Sequence, residues 1–171
     1  MNHDFQLRIA RKEEAGAIHQ NMVKVYEELK NKDIFVCDDL EWVKEHMEAQ
    51  GFAVVACDST GRIAASLIVR YPKDAEDNLG RDIGLAEAEL WKVAHMEAAV
   101  VLPQYRGHHL QRQLLQYAEE QIDKKQYRHF LTTISPDNPA SYKSAEACGY
   151  KVMVTKEKYG GLLRRIYYKN C

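Results

Sequence analysis

A chain of 171 residues can bury one substantial core and has no need of a second, so it reads as a single domain over residues 1–171. Its 24 Lys and Arg against 25 Asp and Glu leave a net charge of −1, which removes the electrostatic case for nucleic acid as a main partner. No stretch approaches the ~18 apolar residues that a membrane helix needs, and residues 1–11 lack the charged-then-apolar order of a secretion signal, so the expected setting is cytoplasmic with no membrane partner.

Residues 5–10 read as a first strand. Ile18, Met22, Val25 and Leu29 then fall on one face of a helix over about 13–30. After a short break, Asp38 or Asp39 can cap a second helix whose apolar face is Leu40, Val43 and Met47 and which Gly51 stops. Residues 52–57 and 62–71 are β-rich runs joined by Asp58-Ser59-Thr60-Gly61, good chemistry for a hairpin turn. From 72 to about 90 the pattern fades into charged residues with Gly80 and Gly84, which predicts a long irregular loop.

Residues 95–102 form an apolar strand ended by Pro103, and Leu110, Leu114, Leu115, Ala118 and Ile122 recur with a helical period after it. The basic cluster Lys124, Lys125, Arg128 and His129 follows the end of that helix, where cations answer its dipole. Residues 129–135 read as another strand, Pro136-Asp137-Asn138-Pro139 opens a helix that ends at Gly149, and 151–158 with 162–169 flank Tyr159-Gly160-Gly161 as a closing hairpin. The order β-α-α-β-β-β-α-β-α-β-β predicts an α/β fold, a mixed sheet covered by helices. Cys37, Cys57, Cys148 and Cys171 have no C-x-x-C spacing, which argues against a metal site or redox pair; Cys57 and Cys148 suit core positions and Cys171 an exposed one.

The segment from Val100 to Gln111 carries the most chemistry. It runs from strand through a compact turn into a helix, so free backbone N–H groups and the helix dipole face outward together, a cradle suited to phosphate.

With this turn and the later Asn138-x-x-Ser141 and Gly149-Tyr150, the chain resembles the GNAT superfamily of N-acetyltransferases over nearly its whole length. Members carry V-x-P-x-[YF]-[RQ]-x-x-G-x-[GA], and Val101-x-Pro103-x-Tyr105-Arg106-x-x-His109-x-Gln111 follows that frame. The resemblance implies a GNAT-like, mostly antiparallel sheet of about seven strands flanked by four helices. It also implies acetyl-CoA as acyl donor and transfer to a primary amine of a small molecule or peptide, by direct attack in a ternary complex. Ala99, Val100 and Val101 would offer backbone groups to pantetheine, Arg106, Gly107, His108, His109, Leu110, Gln111 and Arg112 would wrap the pyrophosphate, and Asn138 and Ser141 would contact the cofactor from the last helix. Asn138 equally suits a plain helix cap before Pro139.

His109 and Gln111 stand where members have Gly and then Gly or Ala. A side chain there crowds an approaching phosphate, although His tolerates a positive φ better than most residues. Either His108 or His109 donates a ring N–H to phosphate, or both are exposed loop histidines.

Attack on a thioester requires a neutral amine, so a base must take its proton. His95 and Glu97 are two apart on the fourth strand and share a face that Val93, Ala99 and Val101 complete. Relative to Arg106 they match positions from which some members deploy basic residues. Glu97 is the first choice, because a carboxylate among apolar neighbours holds a proton more readily, with His95 as a relay. The alternative is structural: Glu97 pairs with a Lys or Arg, and His95 with a backbone carbonyl. Another family site for a base, on the fifth strand, is Thr133 here. The Tyr that members often place seven residues after the helix-opening Asn is Ala145, which leaves Tyr142, one turn earlier, as candidate acid and Tyr150 as a weaker one; either also fits as a core aromatic.

Glu76, Asp77, Asp82, Glu87 and Glu89 of the long loop either attract a cationic amine or form a solvated polar surface. The resemblance implies a monomer or a homodimer, since many similar proteins pair through the C-terminal hairpin. The rival reading is a GNAT-fold module that binds acyl-CoA, another anion or a partner without turnover. A Rossmann-type nucleotide binder is disfavoured, since no G-x-G-x-x-G follows the first strand and hairpins bracket the chain.

Overall fold

Alternating apolar residues along the central strands divide the core into two layers. The computed structural model describes residues 4–171; Met1, Asn2 and His3, the start of the segment without a secretion pattern, lie outside it. Strands β1 (Gln6–Ile9), β2 (Gly51–Cys57), β3 (Ile63–Arg70), β4 (Val93–Val101), β5 (His129–Ile134), β6 (Lys151–Lys158) and β7 (Leu162–Asn170) form one sheet in the order β1-β2-β3-β4-β5-β7-β6. The β4–β5 pair is parallel and the others are antiparallel. The α-helices among the described residues are α1 (Ala15–Glu28), α2 (Leu40–Glu48), α3 (Leu79–Asp82), α4 (Glu87–Leu90), α5 (Leu110–Gln121) and α6 (Pro139–Ala147). None of these helices is long and apolar enough to cross a membrane.

Ala53, Val55 and Cys57 of β2 pack with Ile18, Met22 and Val25 of α1 and Val43 of α2. Val54 and Ala56, the alternate residues, pack with Leu110, Leu114, Leu115 and Ala118 of α5 on the other face. Each fully buried aliphatic side chain contributes roughly 1.5–3 kcal/mol of transfer free energy, so both helical layers are held mainly by these stripes. Cys57 and Cys148 are buried as expected; Cys171 is partly buried rather than exposed.

Three local features shape the site. Asp39, not Asp38, caps α2, its Oδ1 accepting from Trp42 N–H at 2.9 Å. Gly51 does not stop α2 but opens β2 opposite Arg70, where a Cβ would lie 1.8 Å from the Val69 carbonyl oxygen; close backbone approach requires glycine there. The segment 72–90, expected to be irregular, contains the one-turn helices α3 and α4. Fully buried Asn78 organises it, donating to Lys73 O at 2.7 Å and Leu90 O at 3.1 Å while accepting from Gly80 N–H at 2.8 Å.

A departure from simple alternation lies in β4. Ser66 of β3 pairs with Val100, but Ile68 pairs with Glu97, so one extra residue of β4 bulges near Ala98, whose φ is +50°. The bulge flips the alternation. Val100 packs toward α1 and α2, whereas Ala99 and Val101 pack on the α5 side, so they do not complete the face of His95 and Glu97.

Candidate active site

The parallel pairing of β4 with β5 ends at His95 opposite Leu131, although β4 runs on to Val101. The two strands therefore splay, and the outer backbone groups of β4 beyond His95 have no strand partner on that side among the described residues. A cavity of about 440 Å3 opens there, lined by Ala99, Val100, Val101, Arg106, Gly107, His109, Leu110, Gln111 and Asn138, among others. A second cavity of about 300 Å3 lies between the helical loops and the C-terminal hairpin, lined by Asp38, Arg70, Asp77, His95, Glu97, Thr133, Ser141, Ala145, Lys158, Tyr159 and others. Ala99 and Gln111 line both, so the cavities adjoin at the splay.

The turn into α5 is anchored at both ends. Tyr105 Oη donates to Asp58 Oδ2 at 2.6 Å, and Asp58 Oδ1 accepts from Thr60 N–H and Arg62 N–H, which ties the β2–β3 turn to the cradle. The Tyr105 hydroxyl, with the Thr60 and backbone donors, holds the Asp58 carboxyl well below the usual range. Gly107 at φ +86° and His109 at φ +57° and ψ 31° both take the left-handed conformation, so the imidazole-bearing residue makes the turn where members use Gly. Gln111 turns its amide toward α6, donating to Ser141 Oγ at 2.7 Å.

Most of the predicted cofactor-binding residues converge on the larger cavity, but His108 and Arg112 do not line it. The His108 ring packs against Phe5 at 5.5 Å between centroids, and Arg112 is exposed. Asn138 does both jobs weighed for it, capping α6 through Ser141 N–H at 3.4 Å and lining the cavity. Ser141 lines the smaller cavity instead.

His95 and Glu97 come together as one unit. The Leu79 N–H at the start of α3 donates to His95 Nε2 at 3.0 Å, so that nitrogen is an acceptor and the ring proton lies on Nδ1. Nδ1 then donates to Glu97 Oε1 at 3.0 Å. His95 is 2% exposed and both its nitrogens are occupied, an arrangement that orients Glu97 and gives the imidazole no open end for a proton relay. The setting of Glu97 is polar rather than apolar, with Arg70 Nη1 3.7 Å from Oε1, while buried Oε2 accepts no hydrogen bond. Arg70 is held in turn by Asp77 at 2.7 and 2.9 Å, and this guanidinium keeps the Asp77 carboxyl low.

Tyr142 and Tyr150 stand away from both cavities. Tyr142 lies under Arg165 at 4.8 Å, and Tyr150 is 2% exposed within the α5-side core. The tyrosine that lines the smaller cavity is Tyr159 from the hairpin tip, hydrogen-bonded to Thr133 at 2.9 Å. The acidic loop is largely tied down rather than free: Asp82 binds Lys156 and Lys158, Glu87 binds Arg81, and Glu89 binds Lys92 and His129.

Asp38 was not singled out for chemistry by its position in the sequence, where it competes with Asp39 for the cap. With Asp39 engaged, the Asp38 carboxyl lines the smaller cavity without a hydrogen bond or salt bridge among the described residues. Burial, with Glu97 adding like-charge repulsion and Arg70 opposing it, pushes the Asp38 carboxyl up to about 6.

The fold has counterparts among known proteins. YncA from Salmonella typhimurium, solved with its cofactor acetyl-CoA, is 16% identical, with a TM-score of 0.71 over 98% of this chain and 94% of that one. An N-acetyltransferase from Staphylococcus aureus Mu50 is 16% identical, with a TM-score of 0.72 over 98% of each chain. A ribosomal-protein-alanine N-acetyltransferase from Brucella melitensis is 16% identical, with a TM-score of 0.71 over 97% of this chain and 99% of that one. At these identities the likeness establishes the fold. No curated protein matches the chain. The model of the acetyltransferase (GNAT) family matches residues 20–150, spanning the splayed strands, the turn into α5 and α6. The chain belongs to the GNAT family of acetyltransferases, whose donor is acetyl-CoA.

Proposed function

We propose that this protein transfers an acetyl group from acetyl-CoA to a primary amine of a small molecule or peptide, by direct attack in a ternary complex. The observation that carries the reading is the meeting of the two cavities at Ala99 and Gln111, with Glu97 in the wall of the smaller one. The larger cavity fits the donor: it joins unpaired β4 backbone to a helix N-terminus preceded by two left-handed residues, Gly107 and His109. When bound, acetyl-CoA supplies an activated acetyl group on a thiolate leaving group.

The chain's own residues supply the rest. Ala99, Val100 and Val101 present backbone to the pantetheine arm, and the turn from Arg106 to Gln111 with Asn138 holds the phosphate end. Glu97 accepts a proton from the attacking nitrogen, and His95 is a positioning residue that fixes the carboxylate through Nδ1–H. Tyr159 holds a proton at Oη in the cavity, the acid role that its position favours over Tyr142. The three segments around the smaller cavity, with Asp38, Leu79 and Tyr159 at their inner edges, exclude bulk water and bulky acceptors.

Thermal denaturation with acetyl-CoA tests the donor half of this reading. The ligand raises the apparent midpoint in proportion to the logarithm of its excess over Kd. An unchanged midpoint at millimolar acetyl-CoA contradicts it.

A further inference from the structure

The acceptor cavity is lined by three carboxylates, of which Asp77 is bidentate with Arg70 while Glu97 and Asp38 differ in their restraint. Glu97 is fixed by His95 and stands beside Arg70, whereas Asp38 has no side-chain partner among the described residues. Asp38 is delivered by the loop before α2, because Asp39 takes the cap and His19 Nε2 lies 3.2 Å from the Asp38 carbonyl oxygen. Asp38 is half-buried and lines the cavity.

The groups around Asp38 decide what it can bind. Glu97 and His95 face it from β4, Arg70 from β3, Asp77 from the following loop, and Lys158 and Tyr159 from the hairpin. The cations are already matched: Arg70 is bidentate with Asp77, and Lys158 is bound to Asp82 at 3.0 Å. Arg70 is shared between Asp77 and Glu97, so these carboxylates outnumber their cation, and Asp38 adds a negative charge that has no ion-pair partner among the described residues.

Resting on the acetyl-transfer reading, we infer that Asp38 receives the acceptor's ammonium group and takes the first of its two protons, and that the acceptor is therefore a compact alkylamine, cationic in water. Two protons must leave an ammonium nitrogen on its way to an amide. In the first transfer an N–H bond breaks, its electron pair stays on nitrogen as the nucleophilic lone pair, and the proton moves to the Asp38 carboxylate. That lone pair forms the new bond to the acetyl carbon, the carbon–sulfur bond breaks with its electrons on sulfur, Glu97 takes the second nitrogen-bound proton, and Tyr159 Oη gives its proton to sulfur to make the thiol. The proton on Glu97 passes through solvent to restore the Tyr159 hydroxyl. Asp38 then returns its proton to solvent. A carboxyl that titrates near 6 suits the first transfer, since it is mostly ionised at neutral pH yet a stronger base than an ordinary aspartate.

The experiment compares two acceptors, a cationic alkylamine and a weakly basic amine that is already uncharged at the assay pH, on the parent, Asp38→Asn, Asp38→Glu and Glu97→Gln. Acetyl-CoA binding is followed in parallel by thermal shift. Asp38→Asn is expected to keep acetyl-CoA binding and lose about a hundredfold in kcat/KM for the alkylamine, while staying within about threefold for the uncharged amine. Asp38→Glu should recover much of the alkylamine rate, and Glu97→Gln should slow both acceptors. Equal losses on both amines for Asp38→Asn, or no loss on either, would overturn the assignment of Asp38 and leave acetyl transfer standing. A parent that binds acetyl-CoA but acetylates neither amine would overturn both.

Discussion

Gln111 Nε2 donates to Ser141 Oγ across 2.7 Å, tying the first turn of α5 to α6 where the two cavities meet. The residue that replaces a small family position thus swings its amide sideways onto its neighbour. The pair should show a coupling of about 1 kcal/mol in a double-mutant cycle of Gln111→Ala and Ser141→Ala measured by urea denaturation. Because the amide is already engaged with α6, Gln111→Ala should change acetyl-CoA affinity by less than about threefold, which titration calorimetry can check.

His109 initiates α5 from φ +57°, so backbone conformation rather than side-chain contact sets what the position tolerates. His109→Gly should keep stability within about 0.5 kcal/mol, the relief of strain offsetting the entropy of glycine. His109→Val should cost about 1–2 kcal/mol and weaken acetyl-CoA binding with it, because a β-branched residue resists that conformation. Equal stability of the two variants would refute the strained-turn account.

Ionised Asp38 is a burden on the fold. Its folded-state affinity for a proton exceeds the ordinary carboxylate value of 3.8, so the stability it contributes is complete below that pH and is lost as pH rises through about 6. Asp38→Asn should therefore stabilise the protein by about 1 kcal/mol at pH 8, after allowance for solvent screening, and the gain should vanish below about pH 4. Denaturation midpoints at the two pH values test the sign.

Asp82 clamps the hairpin beside the smaller cavity through Lys156 at 2.5 Å and Lys158 at 3.0 Å. Asp82→Asn should raise KM for the amine several-fold, leave acetyl-CoA affinity unchanged, and speed amide exchange at residues 156–162. Unaltered exchange there would show that the clamp does not hold the hairpin.

Much of this architecture is legible in the sequence because it rests on local patterns. The period-two stripe of Val54 and Ala56 and the helical stripe of Leu110, Leu114 and Ala118 predict their own elements and the layers they form. The cradle is legible for the same reason, since Pro103 and Gly107 act on their immediate neighbours. The bulge at Ala98 is not, because nothing in a run of alanines and valines marks the residue that will adopt φ +50°, and the inverted alternation beyond it follows from the pairing with β3. Asp38 was hidden by its equivalence to Asp39, a choice that tertiary packing makes. The Leu79-His95-Glu97 chain joins residues on two elements, and the buried amide of Asn78 that brings them together sits in a segment with no periodic pattern.

The most direct measurement is the initial rate of thiol release from acetyl-CoA in the presence of an alkylamine panel, with the acetylated amine identified by mass spectrometry, for the parent and Glu97→Gln. The account predicts amine-dependent release with stoichiometric N-acetyl product in the parent, and a rate lower by about a hundredfold in Glu97→Gln with acetyl-CoA binding retained. Bound acetyl-CoA with no amine-dependent release in the parent, or an undiminished rate in Glu97→Gln, would contradict it.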